Sequence, residues 1–156
     1  MKICVFSDSH GAYKNLIASA EKECPDCVVF CGDGEKDIER FSQSFPDIRV
    51  YAVCGNCDFM SKLPDELSFS LAGINLFVCH GHMYKVKYEH DLATLKAKAR
   101  AVRADIALFG HTHSADIIRD GDITLINPGS IGRSYYPSYA MINADEGKFT
   151  ADIIAL

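Results

Sequence analysis

The sequence predicts a single α/β domain in which two packed sheets are flanked by helices. Three observations lead there. Short apolar runs and helical spacings alternate through the first third of the chain, the order that builds a parallel sheet with right-handed crossovers. The remainder carries three closely spaced strand pairs, and two packed sheets would bury that many strands. The length of 156 residues fits one domain and leaves no room for two of ordinary size.

Each element follows from local pattern. Ile3–Ser7 is a short apolar run, read as a strand. Tyr13–Glu23 sets Leu16, Ile17 and Ala20 at helical spacing. Cys27–Cys31 is a second apolar run, and Asp37–Phe45 reads as a short helix stopped by Pro46. Val50–Val53 completes a β-α-β-α-β order. Ser68–Ala72 and Asn75–Cys79 flank Gly73-Ile74 as a hairpin, which makes the sheet mixed. Glu89–Arg103 reads as the clearest helix, with Leu92, Leu95, Ala99 and Val102 on one stripe and Lys96, Lys98, Arg100 and Arg103 off it. Ile106–Phe109 is a further strand. Asp116–Arg119 with Thr124–Ile126, and Tyr139–Asn143 with Phe149–Ile154, read as two more hairpins.

Apolar residues make up 48% and charged residues 24%, a globular composition that excludes disorder. A chain this long buries roughly 70% of its unfolded surface and needs no staple to fold. No apolar run approaches the ~20 residues of a membrane span, and Met1–Asp8 turns polar too soon for a signal peptide. The expected location is cytoplasmic, with no membrane partner. The net charge of -5 argues against a non-specific grip on nucleic acid polymers. A pair of divalent cations would still add about four positive charges at one spot.

Seven cysteines in a reducing compartment call for an explanation. Two Cys-x-x-Cys pairs occur, Cys24–Cys27 and Cys54–Cys57, which would suit a four-thiolate zinc site. The plainer reading is that Cys4, Cys31, Cys54 and Cys79 lie in or beside apolar strands as small buried hydrophobes.

The polar clusters share one placement: each opens at the carboxyl end of a strand. They are Asp8-Ser9-His10-Gly11, Gly32-Asp33-Gly34, Gly55-Asn56-Cys57-Asp58, His80-Gly81-His82, Gly110-His111-Thr112-His113 and Asn127-Pro128-Gly129-Ser130. That edge is where α/β sheets bind ligands. Taken singly, each is an ordinary turn or helix cap; their conjunction is not. Asp8, His10, Asp33, Asn56, His80, His111 and His113 form a nitrogen and oxygen donor set suited to Mn, Fe, Zn, Co or Ni. Seven groups are too many for one tetrahedral ion and suit two, with Asp33, alone between two clusters, as the shared carboxylate. Ions about 3.5–4 Å apart can clamp a phosphoryl group and activate a hydroxide between them.

In these blocks the sequence resembles the calcineurin-like metallophosphoesterase superfamily, and within it the small YfcE-like branch of prokaryotic phosphodiesterases. The family order is Asp-x-His, Gly-Asp, Gly-Asn, a His, then Gly-His-x-His, and all five blocks are present over essentially the whole chain. The resemblance implies a four-layer αββα sandwich. It implies one metal held by Asp8, His10, Asp33 and His113 and another by Asp33, Asn56, His80 and His111, with Mn favoured over Fe, Ni, Co or Zn. It further implies a closing loop at Asn127–Ser130 and dimers or higher homo-oligomers.

Much of the superfamily places His after Gly-Asn; here stand Cys57 and then Asp58, a form the YfcE-like branch shares. An ordinary thiol is a poor leaving-group acid, so His82 is the nearest candidate. Cys57, Asp58 and Arg133 are candidate substrate contacts. The expected activity is hydrolysis of a small phosphodiester, nucleotide-derived ones among the candidates, by in-line attack of a metal-bridging hydroxide, with Asp33, Asn56 and His82 at the reacting centre. A phosphomonoesterase is the nearer alternative. A protein-binding scaffold, as a retromer subunit of this fold is, would require degraded ligands, and none of the seven is degraded.

Overall fold

The computed structural model describes residues 1–156. In chain order it runs β1 (Lys2–Phe6), α1 (Tyr13–Glu23), β2 (Cys27–Phe30), α2 (Glu35–Ser44), β3 (Arg49–Ala52), β4 (Glu66–Leu71), β5 (Ile74–Cys79), a 3-10 turn (His82–Tyr84), α3 (Ala93–Ala101), β6 (Ile106–Leu108), β7 (Asp116–Asp120), β8 (Ile123–Asn127), β9 (Ser138–Asp145) and β10 (Lys148–Ala155). Two five-stranded sheets form, in the orders β10-β9-β1-β2-β3 and β4-β5-β6-β8-β7. Both are mixed: β1, β2 and β3 are parallel, as are β5, β6 and β8, with antiparallel strands at the flanks.

Strand composition explains the layering. In β1, Ile3 and Val5 join the core between the sheets, while Cys4 and Phe6 face α1 and α2. In β5, Ile74, Leu76 and Val78 take the inter-sheet side and Phe77 and Cys79 face α3. Central strands β2 and β6 are therefore apolar at every position because both faces are covered. Edge strand β4 alternates: Leu67, Phe69 and Leu71 pack on the core while Ser68 and Ser70 are exposed. Helices α1 and α2 cover one outer face and α3 the other, giving the four-layer αββα sandwich.

Two sequence expectations are corrected. The β4–β5 hairpin does not join the N-terminal sheet; it founds the second one, and β9–β10 returns to the first. The third helix begins at Ala93, not Glu89. Leu92 is left-handed (φ 55°), and the Glu89 carboxylate accepts the Thr94 N–H and hydroxyl, both at 2.7 Å. Glu89 thus caps the helix from outside it. The four-thiolate site does not assemble. Cys24 is exposed at the left-handed end of α1, Cys27 is buried in β2, and Cys54 points at Asp65. No helix is long and apolar enough to cross a membrane.

Candidate metal centre

All six polar clusters meet at one edge of the sandwich, stitched by backbone bonds. The Asp8 N–H donates to Gly32 O (2.9 Å), His10 N–H to Asp33 O (3.1 Å) and Gly110 N–H to His80 O (3.0 Å). Five of the seven candidate ligands leave their strands in the left-handed region: Asp8, His10, Asp33, His111 and His113, with φ between 44° and 69°. Such a backbone costs an L-residue about 1–2 kcal/mol, and it collects at functional sites. Here it turns five side chains inward over a few residues of loop.

Asp8 is wholly buried. Its Oδ2 accepts the Ser7 hydroxyl at 2.5 Å and the His111 N–H at 3.0 Å. Its Oδ1 has no hydrogen bond of acceptable geometry. Around that oxygen lie three imidazole Nε2 atoms, of His113 at 3.1 Å, His10 at 3.8 Å and His80 at 3.9 Å. A buried carboxylate oxygen without a donor is costly, about 1–3 kcal/mol or more, and a cation among the three nitrogens would remove that cost. The donors therefore fit a divalent ion.

Asp33 stands between the two halves. Its Oδ2 lies 3.7 Å from His10 Nε2 and 3.4 Å from His80 Nε2, and its Oδ1 accepts the Cys57 N–H at 2.7 Å. Gly55 makes room for this: a Cβ there would collide with the Asp33 carboxylate. Three groups have their ligand atoms within 4.8 Å of one another: Asp8/His10/His113, His10/Asp33/Cys57 and Asp8/Asp33/His80.

The histidine tautomers are set from behind, as in metal sites generally. His80 Nδ1 faces Cys31 O at 2.7 Å and His113 Nδ1 faces Arg133 O at 3.1 Å, so each donates its Nδ1–H outward and turns Nε2 inward. His80 Nε2 lies 3.1 Å from Asn56 Oδ1. Burial opposes a charge on His80, but hydrogen bonding to Asp33 and the Asp8 charge outweigh it and raise its pKa. The Asp8 carboxylate beside its ring raises that of His113. Protons sit where cations would. His111 is the opposite case: burial and its His80 neighbour push it down to about 4. The His111 and His80 rings are 5.0 Å apart.

His82 stands beside this half, its ring 5.5 Å from that of His80 and 6.1 Å from that of His111. Its Nδ1 is buried without a partner, and burial followed by the His80 charge lowers its pKa. Cys57 is exposed, and its thiol receives the Asn56 amide N–H at 3.3 Å. Burial and hydrogen bonding to Asp33 raise its pKa. Arg133 is exposed, and it is its carbonyl that reaches the centre.

Asp58 has another occupation than substrate contact. Its Oδ2 accepts the N–H groups of Asp33 and Gly55, both at 2.8 Å, and its Oδ1 those of Gly34 and Glu35, both at 2.9 Å. One carboxylate ties two ligand loops together and caps α2. Further supports are visible only in the fold. Asp37 Oδ2 holds the Asp8–Gly11 loop through the Ser9 hydroxyl (2.6 Å) and Gly11 N–H (2.7 Å). Asn127 Nδ2 donates to Gly110 O (3.0 Å) and Thr112 Oγ1 (2.9 Å), and the Ser130 hydroxyl to Asp8 O (2.8 Å). Asp37 sits in the charged stretch Glu35–Arg40 and carries no local signal; its partners lie too far along the chain to be read.

Comparison with known proteins gives the family and the fold. The model of the calcineurin-like phosphoesterase superfamily domain matches residues 1–147. A probable metallophosphoesterase of Bacillus subtilis is 35% identical over 136 residues, covering 84% of this chain and 75% of its own. The crystal structure of a predicted phosphoesterase of Streptococcus pneumoniae is similar at TM-score 0.83 and 26% identity, covering 99% of this chain and 88% of that one. Vps29 of Entamoeba histolytica, crystallised with Zn²⁺, shares the fold at TM-score 0.79 and 18% identity, over 99% of each chain.

Proposed function

The chain belongs to the calcineurin-like phosphoesterase superfamily, and from that premise we propose that it is a two-metal phosphodiesterase acting on a small substrate. The observation that carries the reading is the buried Asp8 Oδ1, left without a donor among three imidazole nitrogens. Asp8, His10, Asp33 and His113 would hold one divalent ion, and Asp33, Asn56, His80 and His111 the other, with Mn²⁺ favoured. When bound, such ions neutralise the phosphoryl oxygens and make water acidic enough to attack at neutral pH.

The protein residues supply position. Asp33 faces a histidine of each half, which suits a shared carboxylate. The Cys31 and Arg133 carbonyls lock His80 and His113 with Nε2 inward. Asn56, with its side-chain oxygen beside His80, lies where it can hold a ligand oxygen and meet substrate. His82 is the group available to protonate a leaving group. Its lowered pKa leaves it mostly neutral at pH 7, and Cys57, raised by burial and Asp33, is a weak acid too. The centre therefore favours leaving groups that depart without a proton, and diesters, with one negative charge fewer, over monoesters. The complete donor set weighs against a scaffold that has lost its metals.

The test is hydrolysis of bis(p-nitrophenyl) phosphate with Mn²⁺, repeated after EDTA, beside p-nitrophenyl phosphate as the matched monoester. A chelator-sensitive rate higher for the diester is expected. No rate with any divalent metal overturns the reading, and a faster monoester reverses the preference.

A further inference from the structure

We propose that the cleft opening from the metal centre contains an anion subsite, formed by Lys36 and Arg40 with Phe59 beside them, that selects nucleotide phosphodiesters carrying a second phosphate. This rests on the phosphodiesterase reading above and adds the substrate class.

The cleft has a volume of about 460 Å³ and begins at His10, Asp33 and Cys57. That is a nucleotide-sized space. It runs along the first turns of α2, where Lys36 and Arg40 line it. The two residues are four apart, so their side chains share a helix face at roughly 5–6 Å between Cβ atoms. The Arg40 guanidinium lies over the Tyr13 ring, 5.9 Å from its centroid, which favours an ordered cation.

The charges on this wall are unequally committed. Asp58 spends both oxygens on four backbone donors. Asp37 Oδ2 holds Ser9 and Gly11, and Glu35 Oε1 accepts the Lys62 N–H at 3.3 Å. Lys36 and Arg40 form no ion pair. On α3, by contrast, Lys96, Lys98 and Arg100 are each paired with a carboxylate. Two like charges at i and i+4 repel and destabilise their helix slightly; a bound phosphate would turn that repulsion into attraction. Phe59 also lines the cleft and is 88% exposed. An aromatic ring so placed offers a stacking face to a nucleobase. One end of the cleft thus takes the scissile phosphate, and the wall of α2 takes a second one.

The experiment compares kcat/KM for thymidine 5′-(p-nitrophenyl phosphate) and for the same ester bearing a 3′-phosphate, with Mn²⁺, in the wild type and in the Lys36→Gln/Arg40→Gln variant. The extra phosphate is expected to raise kcat/KM about tenfold in the wild type, equivalent to about 1.4 kcal/mol, and to lose that advantage in the double variant. A ratio near one in the wild type, or an undiminished ratio in the variant, overturns the subsite. If the wild type cleaves no diester, the phosphodiesterase reading fails instead. Calorimetric binding of thymidine 3′,5′-bisphosphate to the Mn²⁺-loaded proteins then decides the subsite: weaker binding by the variant upholds it and equal affinity refutes it.

Discussion

Asp58→Asn keeps the shape of a side chain and removes its charge, at a position where four backbone N–H groups converge. In the variant one oxygen becomes an NH₂ group that faces two N–H donors. Two hydrogen bonds are lost and two fall from charge-assisted, about 1.5–3 kcal/mol each, to neutral, about 0.5–1.5. Asp58 is half-buried, so water recovers part of this, and a net loss of about 3 kcal/mol is expected. For a domain of this size that lowers Tm by about 6–12 °C. The assay is thermal unfolding followed by circular dichroism in EDTA, so that lost metal binding adds nothing to the shift. Asp58→Ala should be milder, because water can reach the four donors without an opposing NH₂ group. A Tm for Asp58→Asn within about 2 °C of wild type, or above that of Asp58→Ala, would refute the clamp and return Asp58 to the substrate contacts.

Asp33→Asn should weaken both ions, since its carboxylate faces a histidine of each half; two tightly bound Mn²⁺ per chain by calorimetry would sink the shared role. Gly55→Ala sets a Cβ against the Asp33 carboxylate, an overpacking of about 1–3 kcal/mol, and should cost metal affinity without removing a ligand; unchanged affinity would contradict it. Without metal, the raised pKa values of His80 and His113 stabilise the fold below their unfolded value near 6.5, and that contribution is lost as pH rises through the folded values. Metal binding must expel these protons, so affinity should rise with pH. Calorimetry at pH 7 in buffers of differing ionisation enthalpy should show proton release, with none from His111, already down to about 4; buffer-independent heats would refute this.

The sequence alone determined the family, the candidate ligands and most of the elements. Asp8-x-His10, Gly32-Asp33, Gly55-Asn56, His80 and His111-x-His113 lie at the ends of apolar runs, and both the runs and the turns are local patterns. Continuous hydrophobicity over Ile3–Phe6 and Cys27–Phe30 likewise belongs to strands covered on both faces. Tertiary structure decided what depends on distant partners. Whether the β4–β5 hairpin extends the first sheet or founds a second turns on which core its Leu67, Phe69 and Leu71 face, and local spacing is the same in both cases. The start of α3 depended on a carboxylate five residues away in the chain, Glu89, bonding Thr94. Asp58 reads as a substrate contact in sequence because it follows a ligand motif. Three of its four partners, Asp33, Gly34 and Glu35, lie 23 to 25 residues away, and only the folded chain brings their N–H groups to one carboxylate.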